Sequence, residues 1–134
     1  MSNIPAAEDV LDPDEAVYDL PTVATMLGIP VTKVHQHLRQ SHLIGVRRNG
    51  VVVVPKVFFD DSGHVVKPLA GLLVVLHDGG YLETEIVRWL FTPDASLTIS
   101  RDGAGEPKPN ARPVDALNSH QAREVLRRAQ ALAY

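Results

Sequence analysis

Gln36 and Arg39 carry the donor sets that read base edges, an amide for adenine and a guanidinium for guanine. Thr32 and Lys33 come just before them and suit contact with phosphate oxygens. Arg47 and Arg48 can follow a phosphate backbone or enter a minor groove. His35, Gln40, Asn49 and Lys56 complete the candidate contact set. All ten lie in a block of forty residues, Leu20 to Phe59, that holds five basic residues, three histidines and no acid. One carboxylate near a phosphate repels it, so acid exclusion over a compact stretch is what a polyanion-facing surface needs.

Other chemistries fit less well. His35 and His37 are two apart, and on a helix such residues do not share a face. No carboxylate lies near them in sequence, so no metal is expected. Asp78-Gly79-Gly80-Tyr81 lacks the glycine spacing and the Lys-Ser/Thr of a phosphate loop. It reads as a helix C-cap. Asp60-Asp61-Ser62-Gly63-His64 brings acid, hydroxyl and imidazole together, but adjacency in sequence does not make a triad. There is no catalytic constellation, and neither an enzyme activity nor a cofactor is expected.

The elements that must position the block are legible. Asp19 before Leu20-Pro21 starts a helix whose apolar face is Val23, Ala24, Met26 and Leu27, and Gly28 ends it. Ile29-Pro30 turns the chain. A second helix runs from about Val31 to Gln40. Val34 and Leu38 face inward with Val31 beside them, and the polar candidates face outward. Leu43–Val46 and Val51–Val54 flank Asn49-Gly50, the strongest short hairpin signal. Val57-Phe58-Phe59 should pack back on the helices, and a turn follows at residues 60–63.

The remainder reads as helical. Pro68 to His77 is apolar almost all round. A helix from about Thr84 to Phe91 buries Ile86, Val87, Trp89 and Leu90. Residues 101–112 read as a mobile loop with two Gly and two Pro. Pro113–Leu117 is a short helix. A last helix from Ser119 places Ala122, Val125, Leu126, Ala129, Leu132 and Ala133 at core spacing.

Size and composition allow one domain, or two small ones sharing a core, in 134 residues. Residues 1–17 carry few large apolar groups, and six acids stand before Leu20, so residues 1–17 read as a flexible acidic tail. Such a tail would compete with phosphates for the basic face. Its acidity also argues against a signal peptide. The longest apolar runs, Val51–Val54 and Leu72–Leu76, fall far short of the ~20 residues of a membrane helix, and a cytoplasmic protein is the expectation. The absence of cysteine excludes disulfides and thiol chemistry. Overall the charge is −3, so a nucleic-acid site would be focused rather than general.

The residues also carry a resemblance. The run from Tyr18 to Gln40, with its Ala-x-x-Leu-Gly-Ile first helix and Val-x-x-x-Leu second helix, resembles the winged helix-turn-helix of the MerR and excisionase type when joined to His42–Arg48. Pro55–Phe59, His77–Tyr81, Trp89–Asp94 and Ala111–Leu117 extend the resemblance over residues 3–134. The whole is similar to a small actinobacterial family of winged helix-turn-helix DNA-binding proteins with an all-helical C-terminal domain. The resemblance implies a mostly α fold with a β-hairpin wing, a winged helix-turn-helix over 18–59 and a helical domain over 65–134. It implies sequence-directed binding of double-stranded DNA and transcriptional regulation, with the second helix in the major groove. Family members can carry a longer tail with hydroxyls open to phosphorylation, whereas here only Ser2 precedes the acidic stretch. One small winged helix would bind modestly, so two copies on neighbouring half-sites are expected. The stretch from Trp89 to Leu117 is also similar to the toxin-binding domain of Xre-type antitoxins. That gives an alternative, an adaptor whose helical domain binds a protein partner.

Overall fold

The computed structural model describes residues 5–99 and 109–134. Ser2 and most of the 101–112 loop lie outside them. The chain begins with two short strands, β1 (Ala6–Glu8) and β2 (Val17–Asp19). Helix α1 (Leu20–Leu27) follows at once. The Asp19 carboxylate accepts the Thr22 N–H at 2.8 Å and caps it, and Gly28, at φ 67°, ends it in a left-handed conformation. Helix α2 (Val31–Arg39) buries Val34 and Leu38. Val31, expected beside them, is exposed, because it sits in the first turn.

Strands β3 (Gly45–Arg48) and β4 (Val51–Pro55) form the hairpin. Asn49 and Gly50 have φ of 51° and 79°. Positive φ at both central residues is what a two-residue hairpin turn with the right twist requires. A single 3₁₀ turn, Lys56–Phe58, then folds Phe58 into the core.

The wing is more than this hairpin. The sheet has four strands in the order β1-β3-β4-β2, with β1 parallel to β3 and the other pairs antiparallel. Residues 5–17 are therefore not a flexible tail. Backbone pairing of Ala6, Ala7 and Glu8 with Gly45, Val46 and Arg47 fixes one edge, and Ala7 and Leu11 enter the core. Two small or medium apolar side chains suffice, because the ladder supplies the remaining order.

The second half packs α3 (Leu69–Asp78), α4 (Glu83–Phe91), α5 (Pro113–Leu117) and α6 (Ala122–Ala133). The last helix starts three residues later than its periodicity suggests, since the Ser119 hydroxyl engages the Gln121 N–H and the Ala116 carbonyl in a turn. Val125 and Ala129 are buried, but Leu132 is 45% exposed and Trp89 only half-buried. The described end of the 101–112 loop is tied down: Ala111 pairs with Asp94, and Arg112 bonds both Asp115 and Glu15. One cluster of buried apolar residues runs from Ala7 through Val34, Val54 and Phe58 to Leu72, Leu90 and Ala129. Among the described residues no helix is long and apolar enough to cross a membrane.

Candidate nucleic-acid interface

Helix α2 presents the donors. Its 3.6-residue period buries Val34 and Leu38 and leaves Thr32, Lys33, Gln36, Arg39 and Gln40 exposed, with His35 half-buried. No carboxylate stands in its first turn, and no side chain caps its N-terminus, so the positive end of the helix is open to an anion. Between α2 and the wing lies a groove of about 400 Å³ lined by residues that include Val31, His35, Arg47, Gly50 and Val51. His35 and Arg47 are thus brought together on one surface. Asp19 also borders the groove, but its carboxylate is committed to capping α1.

The wing divides the two arginines. Successive strand residues point to opposite faces, so Arg47 and Arg48 cannot both meet the same partner. Arg47 pairs with Val52 on the face where Gly45 approaches Leu38 of α2. Arg48 turns away. Its Nε donates to Asp9 Oδ2 at 2.8 Å and its Nη2 to Asp9 Oδ1 at 3.1 Å. Its remaining donors reach the carbonyls of Glu15 and Asp12 at 3.0 and 3.1 Å. These bonds hold the Asp9 carboxyl below its usual range and raise the already high Arg48 value. Arg48 therefore anchors the β1–β2 connection, and Asp9 neutralises it. Period-two alternation in the sequence was signal enough to separate the two.

Lys56 is exposed, but its ammonium lies 4.9 Å from the centre of the Tyr18 ring, a cation–π contact. It stands beyond β4, at the opposite end of that strand from the Asn49-Gly50 turn. Asn49 serves that turn through its positive φ. The structure gathers Thr32, Lys33, His35, Gln36, Arg39, Gln40 and Arg47 on or beside α2 and leaves Arg48 and Lys56 apart.

Sequence reasoning missed one arrangement. His37 and His42 meet, with Nδ1 atoms 3.2 Å apart and ring centres at 5.5 Å. Burial, then His42 and Lys33, lower the His37 imidazole below its ordinary value. Among the described residues no group of three or more His, Cys, Asp or Glu is placed to hold a metal.

A capped first helix, a donor-bearing second helix and a two-residue hairpin beside it define a winged helix-turn-helix protein. The comparisons narrow the class. Residues 3–59 match the family model described as DNA-binding protein Rv2175c, wHTH domain, and residues 66–133 match the Rv2175c C-terminal domain of unknown function. The chain belongs to this family. It is 67% identical to the DNA-binding protein Rv2175c of Mycobacterium tuberculosis (strain ATCC 25618 / H37Rv) over 134 residues, all of this chain and 92% of the relative. The solved NMR structure of Rv2175c superposes with a TM-score of 0.90 at 68% identity, covering 99% of this chain and 91% of that one.

Proposed function

We propose that this protein binds double-stranded DNA in a sequence-directed way and regulates transcription in the cytoplasm, bound to the nucleoid. Helix α2 enters the major groove, where Gln36 and Arg39 read base edges. Thr32, Lys33, His35 and Gln40 meet phosphates around it, and Arg47 and Asn49 carry the wing to the backbone or the minor groove. The observation that supports this best is the disposal of the nearby acids. Asp9 is turned onto Arg48, Asp19 caps the α1 N-terminus, and α2 itself carries no carboxylate. The mycobacterial relative, a DNA-binding protein by name, supports the same reading. A small single footprint favours two copies on adjacent half-sites.

Selection of bound duplexes from a random-core pool tests the proposal. An enriched motif that is lost with Gln36→Ala and Arg39→Ala supports it. Recovery of no motif at low salt, with no retention of duplex, refutes it.

A second reading rests on the helical half. Leu82 and Leu132 are exposed, and Leu132 joins Leu76, Tyr81, Glu85, Ile86 and Trp89 in lining a small, mainly apolar notch. An antitoxin-like adaptor would use such a surface for a protein partner. Partners that stay bound to the full chain after nuclease treatment of a native lysate favour it.

A further inference from the structure

Helix α2 ends in a Schellman motif. Ser41 takes a left-handed φ of 62°, its N–H reaches the Leu38 carbonyl at 3.4 Å, and the His42 N–H reaches the His37 carbonyl at 2.9 Å. This motif folds His42 back over His37, the pair of positions that usually makes an apolar contact. Here two imidazoles stand there instead. Their Nδ1 atoms are close enough for one hydrogen bond, in which one ring donates and the other accepts. At least one of the two nitrogens is therefore deprotonated while they bond to each other.

The pair borders a half-open groove of about 270 Å³ at the seam between the two halves of the chain. Leu27 at the end of α1, Leu43 after the cap, Val65 before α3 and Ala70 within α3 line the rest. Apart from the two imidazoles this lining is apolar and carries no titratable group. The one other charge that acts on His37 comes from Lys33, on its own helix. The groove thus combines an apolar body with a pair of imidazoles on its wall, and the charges that act on His37 are positive.

We propose that this groove binds a small carboxylic acid with an aromatic or short aliphatic body. The body lies on Leu27, Leu43, Val65 and Ala70. The carboxylate replaces the imidazole–imidazole bond and accepts one N–H from each ring. Charge complementarity carries the assignment: an anion between the rings allows both to be protonated, whereas a second proton without an anion drives them apart. The volume lies just below the usual range for drug-sized ligands, which limits the ligand to roughly ten heavy atoms. Binding takes up a proton, so affinity falls by up to about tenfold per pH unit above the imidazole range.

The test is an NMR titration of the isotope-labelled full chain without DNA, so that its outcome is independent of DNA binding. The probes are benzoate, its neutral isostere benzamide, and acetate, which has the charge without the body. Benzoate should saturate at roughly millimolar concentration. It should shift Leu27, Leu43, Val65 and Ala70 and move both imidazole signals toward the protonated form. Benzamide and acetate should bind at least about tenfold more weakly, a difference set by the lost charge or the lost apolar contact. A His37→Leu, His42→Leu double variant restores an apolar pair to the cap and keeps the groove. It should lose both the preference for benzoate over benzamide and the pH dependence. Equal binding of benzoate and benzamide to the unaltered chain, a pH-independent benzoate affinity, or benzoate shifts outside the groove alone would each overturn the proposal.

Discussion

Asp9 and Arg48, 39 residues apart in sequence, are joined by two hydrogen bonds of 2.8 and 3.1 Å. The same guanidinium takes the carbonyls of Asp12 and Glu15, so one side chain closes the β1–β2 connection onto the wing. Glu15 continues the chain of contacts to Arg112, which is also held by Asp115 and lies over the Phe91 ring. The acidic N-terminal segment is thereby fastened to both halves of the molecule. Asp9 cancels a charge that would otherwise stand on the wing.

The two wing arginines should separate cleanly on mutation. Arg47→Ala should weaken binding to all duplexes and lower the log–log salt slope by about 0.9, the value of one phosphate contact. Arg48→Ala should leave that slope unchanged and lower stability by up to about 1 kcal/mol, because a solvent-exposed carboxylate and two backbone carbonyls lose their donor. Anisotropy titrations across a salt series, beside urea denaturation, measure both. A slope that drops with Arg48→Ala and not with Arg47→Ala would reverse the assignment.

Acid should loosen the strap. The Asp9 carboxyl titrates lower in the folded chain than in the unfolded one, so its bond to Arg48 adds stability above the unfolded value of roughly 3.9. That contribution disappears as the pH falls through the lower folded value. Asp9→Asn should therefore be less stable than the parent at neutral pH, with the difference closing below about pH 4. Denaturant midpoints of the two proteins from pH 7 to pH 3 give the comparison; a gap as wide at pH 3 as at pH 7 contradicts it.

Base reading should rest on α2. Gln36→Ala or Arg39→Ala should relax preference at one position of the site by about 1–3 kcal/mol without abolishing general affinity. Competition between a selected duplex and its single-base variants reports the loss. Unaltered discrimination in both variants would move readout elsewhere.

A common core implies common unfolding. Leu72 is fully buried in α3, within the same cluster as Val34 and Val54. Leu72→Ala should cost about 2–5 kcal/mol. Trp89 fluorescence and the amides of β3 and β4 should lose structure at the same, lowered midpoint. Two separate transitions would show that the wing folds without the helical half.

Local signals in the sequence settled the local structure. Asp19, Pro21 and Gly28 bound α1 through capping chemistry, and Asn49-Gly50 sets the hairpin turn, because each acts through backbone conformation within a few residues. The period of Val34 and Leu38 orients α2 and so places Gln36 and Arg39 outside. The acid-free block needed no structure to be noticed. What the sequence could not express was pairing over distance. Ala6–Glu8 has weak strand character of its own, and only the open edge of β3 makes it a strand. Leu132 fits the core period of α6 yet lies beyond what that face covers, and Trp89 is only partly covered. Arg48 and Asp9 read as a free cation and a free anion until the fold brings them into contact. His37 and His42, five apart, meet because the left-handed Ser41 turns the chain back over the end of α2. Caps and periods are written in neighbouring residues, whereas strand edges, ion pairs and grooves depend on which surfaces the collapsed core brings together.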